Sequence, residues 1–202
     1  MLLIGLTGSI GMGKSTTADV FRSEGVPVYD SDAAVHEIYR GPAAREIDNA
    51  FPGTLVDGRI DRTKLASYVL DDRVALKRLE SIVHPLVWQA RAKFLNEQKR
   101  VGAEFVVLDI PLLFETGADK QVDVIVVASA PPDIQKERVL SRPNMSEEKF
   151  AAILIRQTPD EEKRRRADFI VHTDKGVESA REQVRAILKA LASSEKSANQ
   201  KK

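Results

Sequence analysis

There is no cysteine anywhere in the chain. Disulfides, thiolate metal sites and cysteine nucleophiles are therefore excluded together. Histidine is scarce as well: His36, His84 and His172 have no partner at metal-ligand spacing, so no zinc site is expected. No apolar run approaches the ~18 residues that a membrane-spanning helix needs. The longest candidates are Phe105-Val106-Val107-Leu108 and the segment 124–130. The opening Met1-Leu2-Leu3-Ile4 lacks a basic lead and gives way to Gly5, so it does not read as an export signal. A cytoplasmic, soluble protein with no membrane association is expected. An excess of one charge is also missing. Lys and Arg number 31 against 30 Asp and Glu, a net +1, which argues against a general nucleic-acid binder. A hydrophobic content of 43% excludes wholesale disorder. A chain of 202 residues is the size of one domain, and such a chain buries roughly 70% of its unfolded surface.

What is present alternates in type. Short apolar runs at 2–6, 26–30, 105–108, 122–127 and 169–171 read as strands, several rich in β-branched residues. Between them the pattern predicts helices: one after the first glycine cluster, ended by Gly25; separate helices over 60–69, 75–83 and 86–95, punctuated by Gly53, Asp57-Gly58 and Pro85; one over 132–141; one from Ser146; and a last one over 177–191. Ser146 suits an N-cap, with Glu147 and Glu148 at the positive end of the helix dipole. Residues 193–202 are polar and are expected to form a flexible tail. Strands alternating with helices point to an α/β fold with a parallel sheet, whose ligands sit at the carboxyl ends of the strands.

Gly8-Ser9-Ile10-Gly11-Met12-Gly13-Lys14-Ser15 fits the phosphate-loop pattern G-x-x-x-x-G-K-[ST] at every defined position, between an apolar strand and a helix. Glycines let the backbone curl so that its N–H groups face phosphate oxygens, and the helix start adds its dipole. Lys14 then reaches the β- and γ-phosphates, and the Ser15 hydroxyl holds Mg²⁺. Gly8 to Thr16 are thus candidate nucleotide-binding residues. The guanine-reading Asn-Lys-x-Asp is missing; Thr173-Asp174-Lys175 has the wrong order. ATP is therefore favoured over GTP, and a kinase over a nucleotide-regulated switch.

Asp30-Ser31-Asp32 follows the second strand. One carboxylate can accept a proton from a substrate hydroxyl or hold Mg²⁺ through water, while capping the next helix is the other role open to both. Asp109, after four apolar residues, suits a second-shell Mg²⁺ contact or is a plain strand-end aspartate. Arg138, Arg142, Arg156 and Lys163-Arg164-Arg165-Arg166 crowd the last third. A solvated surface suits most of the last four. Arg142, before Pro143 in an expected loop, is a candidate phosphate cation.

These pieces together resemble the dephospho-coenzyme A kinase family. The resemblance covers nearly the whole chain. It rests on the phosphate loop, Tyr29-Asp30-Ser31-Asp32, Ile82-Val83-His84-Pro85-Leu86-Val87, Pro111-Leu112-Leu113-Phe114-Glu115, Arg156-Gln157 and Ala167-Asp168-Phe169-Ile170-Val171. It implies a P-loop, nucleoside-monophosphate-kinase-like domain over 1–192: a five-stranded parallel sheet with a helical substrate lobe near 33–96 and a lid near 132–158. It also implies transfer of the ATP γ-phosphate, with Mg²⁺, to the ribose 3′-hydroxyl of dephospho-coenzyme A. Asp32 becomes the catalytic base, Lys14 the phosphate cation and Arg142 the lid arginine. Asp32, His84, Leu113 and Glu115 are placed at the substrate. No obligate protein partner is implied. Ser31 stands where the family often has Ala, and His172-Thr173-Asp174 stands where it usually has Asn near the adenine.

Overall fold

The computed structural model describes residues 1–199, without the side chains of 195–199. In chain order the elements are β1 (Leu2–Thr7), α1 (Lys14–Ser23), β2 (Val28–Asp30), α2 (Ser31–Ile38), α3 (Ala43–Ala50), β3 (Leu55–Val56), β4 (Arg59–Ile60), α4 (Arg62–Val69), α5 (Arg73–Arg100), β5 (Phe105–Asp109), β6 (Val124–Ser129), α6 (Pro132–Leu140), α7 (Glu147–Arg156), α8 (Asp160–Arg166), β7 (Phe169–His172) and α9 (Gly176–Asn199). They fall into two units, Met1–Tyr29 with Gly102–Lys202, and Asp30–Val101.

The first unit is built on a five-stranded parallel sheet in the order β2-β5-β1-β6-β7. The central strand β1 pairs Leu2 with Phe105 and Leu6 with Asp109 on one side, and Thr7 with Val127 on the other. Strands enclosed on both faces need apolar residues at successive positions, which is why the runs lack alternation. Side chains still alternate between faces. Ile4, Leu6, Val107 and Val126 meet Phe21 of α1 and Val184 and Ile187 of α9 in one core. Val127 and Ile125 meet Leu113, Phe114 and Ala118 in another. Ala180, Val184, Ile187 and Leu191 form the buried stripe of α9, at helical spacing. Strand order reverses at β1, so the loops after β1 and β5 open at the crevice where such sheets bind ligands. Thr7, Asp109, Ser129 and His172 end their strands at that edge.

The second unit packs Ala44, Ile47, Phe51, Ile60, Leu65, Leu79 and Val83 into its own core. Three of its four helices, α2, α4 and α5, start at aspartates. Asp30 accepts from the Ala33 N–H at 2.9 Å, Asp61 from Thr63 and Lys64, and Asp72 from Val74 and Ala75. Each such cap contributes about 1 kcal/mol. Two sequence expectations are corrected here. Ile60 belongs to β4, not to a helix: Asp57 and Gly58 have φ of 49° and 77° and make the tight hairpin between β3 and β4. Residues 75–83 and 86–95 are not separate helices but parts of α5, which runs through Pro85. The apolar face Ala75, Leu79, Ile82, Val83 and Val87 continues across the proline into one core, and that burial outweighs the lost backbone bond.

In the first unit, α9 extends past Leu191 to Asn199. Of the tail expected at 193–202, residues 200–202 lie outside the described residues. Among the described residues no helix is long and apolar enough to cross a membrane.

Proline inside a helix costs ~3 kcal/mol, and Pro85 is exposed. Pro85→Ala is expected to raise the thermal midpoint, by ~2–4 °C per kcal/mol regained. An unchanged or lower midpoint in a thermal melt shows instead that the packing requires the proline.

Candidate active site

The loop from Gly8 to Gly13 joins β1 to α1 at the carboxyl edge of the sheet. At its glycines it lies so close to its surroundings that side chains are excluded. A Cβ on Gly8 would sit 2.8 Å from the Ala128 carbonyl oxygen, one on Gly11 2.6 Å from Val139 Cγ2, and one on Gly13 2.8 Å from Thr173 Oγ1. Gly11 and Gly13 also have φ of 79° and 83°, a left-handed backbone that L side chains resist. Gly13 is the N-cap of α1 and supplies no side-chain bond, so the first N–H groups of that helix are left for another acceptor. Two loop donors are already used. The Ile10 N–H donates to Gln157 Oε1 at 3.1 Å, and the Met12 N–H to the Ser9 carbonyl at 3.1 Å. The Met12 side chain is buried, its Sδ accepting from the Ala130 N–H. Ile10 and Met12 therefore shape the cradle. Gly11, Gly13, Lys14, Ser15 and Thr16 hold its unengaged N–H groups among the described residues.

Several side chains brace the loop from behind. Gln135 of α6, buried, donates to the Ile10 carbonyl at 2.7 Å. Arg138 donates to Thr173 Oγ1 at 2.9 Å and to the Thr173 carbonyl at 2.7 Å, and reaches the Gly11 carbonyl at 3.4 Å. Thr173 Oγ1 donates to the Met12 carbonyl at 2.9 Å. Sequence reasoning counted Arg138 among basic residues and missed Gln135 and the bracing role of Thr173, because their partners are distant in the chain.

Lys14 is ion-paired with Asp109 at the end of β5. Ser15 is exposed, with its hydroxyl unengaged among the described residues. In the second unit the acidic turn divides its work: Asp30 caps α2, whereas Asp32 is exposed with no hydrogen bond or ion pair among the described residues. Arg142, ahead of α7, and Arg156, in its last turn, are both exposed. Ser146 caps α7 through the Lys149 N–H, as its sequence predicts.

A model of the dephospho-CoA kinase family matches residues 2–179. A dephospho-CoA kinase of Nitrobacter winogradskyi is 57% identical over 95% of this chain and 96% of its own length. One of Mesorhizobium japonicum is 58% identical over 95% and 97%. The chain belongs to the dephospho-CoA kinase family.

Among solved structures, the dephospho-CoA kinase of Campylobacter jejuni superposes with a TM-score of 0.62 at 26% identity, over 94% of this chain and 96% of that one. A shikimate kinase of Aquifex aeolicus shares the fold, with a TM-score of 0.52 at 18% identity, over 95% of this chain and 98% of that one.

The resemblance places Leu113 at the substrate. It is fully buried against Ala118 and Val127, and its neighbour Leu112 is the exposed one. Glu115, which the resemblance places there too, turns inward: its Oε1 accepts the Thr158 N–H at 2.7 Å and lies 3.1 Å from Lys163 Nζ. Lys163 is in turn no solvated cation; its side chain is 0% exposed. Arg164 and Arg165 are exposed, and Arg166 lies over the Phe114 ring at 4.1 Å and bonds Asp119. His84 is exposed on α5, its ring 6.1 Å from that of Trp88, one turn on, which sequence reasoning did not single out. Among the described residues no cluster of three His, Cys, Asp or Glu could hold a metal ion.

Burial alone raises the pKa of the Glu115 carboxyl, but the Thr158 N–H, its own backbone N–H and Lys163 outweigh it and hold the group below its ordinary 4.5. A lowered folded pKa supplies stability that is present at neutral pH. It is lost as the medium falls below 4.5 toward the folded value. Thermal melts across that acid range are expected to fall less steeply for Glu115→Gln/Lys163→Met than for the wild type; parallel curves contradict this. Gly13→Ala, strained in φ and pressed on Thr173, is expected to weaken ATP binding at least about fivefold, since even one strained non-glycine backbone costs ~1–3 kcal/mol. Unchanged affinity by calorimetry removes the close-approach argument.

Proposed function

We propose that this chain transfers the γ-phosphoryl group of ATP to the ribose 3′-hydroxyl of dephospho-coenzyme A, giving coenzyme A and ADP. The chain is a kinase by family. The observation that carries the phosphoryl transfer is the glycine cradle, with N–H groups left to face a polyphosphate beside Lys14, which Asp109 orients; the acceptor rests on the family. We place the reaction in the cytoplasm, where ATP is supplied.

Transfer is in line, without a phosphoenzyme. The 3′-oxygen forms its bond to the γ-phosphorus as the bridging oxygen leaves with ADP. Asp32 takes the hydroxyl proton; it is suited to that because Asp30 carries the capping duty beside it. The cradle N–H groups and Lys14 hold the β- and γ-phosphates. Their dipoles and charge are fixed before reaction, which is where such catalysis gains most. Ser15 Oγ and the Asp109 carboxylate are oxygen donors of the kind Mg²⁺ prefers and would hold it, Ser15 directly and Asp109 from behind. Bound there, Mg²⁺ would neutralise phosphate charge. Residues 132–158 serve as the lid, bringing Arg142 to the transferring group and excluding water as an acceptor. His84 contributes to the acceptor site.

The test is turnover with ATP, Mg²⁺ and either dephospho-coenzyme A or a panel of nucleoside monophosphates and sugars, with products identified by mass. A gain of one phosphoryl group on dephospho-coenzyme A is expected. Preference for another acceptor overturns the assignment. Asp32→Asn is expected to lower kcat at least ~10²-fold while ATP affinity stays near wild type. A variant that turns over normally removes Asp32 as the base.

A further inference from the structure

The geometry points to Glu115 and Lys163 as a positioning pair that fixes the root of the lid by holding the backbone of Thr158; it rests on the kinase reading above. The connection from α7 to α8 is three residues, Gln157-Thr158-Pro159. Gln157 and Thr158 of it, and Asp160 and Lys163 beyond it, are tied to the phosphate loop or the carboxyl edge of the sheet. Gln157 Oε1 accepts the Ile10 N–H of the phosphate loop. The Thr158 N–H donates to Glu115 Oε1 at 2.7 Å. Asp160, just beyond, accepts from Ser129 Oγ at 2.7 Å, at the end of β6. Lys163, one turn further along α8, returns to Glu115 with its side chain wholly buried.

This arrangement is costly. Glu115 Oε2, Asp160 Oδ1 and Lys163 Nζ are buried without a hydrogen bond. Apolar side chains of similar volume commonly stabilise a fold better than such a pair. What an apolar pair cannot do is accept the Thr158 N–H. A charged acceptor, held from behind by a buried cation, fixes that one backbone donor in place and sets the direction in which α7, with Arg156 in its last turn and Arg142 ahead of its start, leaves this connection. Cations that act on the transferring phosphoryl group lose their effect when displaced by an ångström. The pair therefore bears on kcat. ATP binding in the ground state belongs to the cradle.

Two double variants separate positioning from stability, since neither leaves a buried charge. Glu115→Gln/Lys163→Met keeps an acceptor for the Thr158 N–H; Glu115→Leu/Lys163→Met removes it. The measurements are thermal midpoint, amide exchange at Thr158, kcat and the KM for ATP. The Gln form is expected to rescue slow exchange and kcat. The Leu form is expected to show faster exchange and about tenfold lower kcat, with less than about threefold change in KM, whatever its midpoint. Equal kcat in the two folded forms overturns the proposal, as does a folded Gln form as poor as the Leu form, which would mean that the charges themselves are required. If the Leu form does not fold, rapid exchange of Thr158 in the wild type or Gln form overturns it, and slow exchange with retained kcat in the Gln form supports it. Exchange is read without substrate, so it stands even if dephospho-coenzyme A proves not to be the acceptor.

Discussion

The phosphate cradle exists because the backbone after β1 passes within van der Waals distance of the ends of β6 and β7. At Gly8 and Gly13 no Cβ fits between the loop and the Ala128 carbonyl or the Thr173 side chain. That approach turns the chain so that its spare N–H groups converge, and it leaves α1 without a capping side chain. Helix ends with unsatisfied donors bind anions well. The rest of the first unit preserves this shape. Arg138 and Thr173 tie the loop to the β7 end, Gln135 ties it to α6, and Asp109 orients Lys14.

Division of labour is the second theme. Within Asp30-Ser31-Asp32 a helix start consumes the first carboxylate and frees the second. Within the loop, Ile10 and Met12 spend their N–H groups on structure, and their neighbours keep theirs. Phosphoryl transfer asks little covalent chemistry of a protein and much placement of charge, so a residue that holds a neighbour still matters as much as one that touches phosphate.

Local signals were legible in the sequence. The phosphate loop, the β-branched strands and the Ser146 cap each depend on residues a few positions apart; the loop and the cap are found where their patterns put them, and the strands within two residues of theirs. Legibility failed where distant partners decide. Pro85 reads as a helix end, but a core fed from both sides of it keeps α5 whole. Lys163 sits in a run of four cations and reads as solvated, yet Glu115 draws it inside. Asp57-Gly58 carried the hairpin signal, but its two-residue strands were too short to show alternation. The acceptor could not be read from the cradle, which many kinases share; it came from motif order along the chain.

The most direct test of the central claim is a crystal structure with a non-hydrolysable ATP analogue. The account predicts β- and γ-phosphate oxygens within ~2.7–3.2 Å of the Gly13, Lys14, Ser15 and Thr16 N–H groups and of Lys14 Nζ, with the Ile10 N–H still on Gln157. Phosphates seated elsewhere, or a loop that must release Gln157 and Thr173 to receive them, would contradict it.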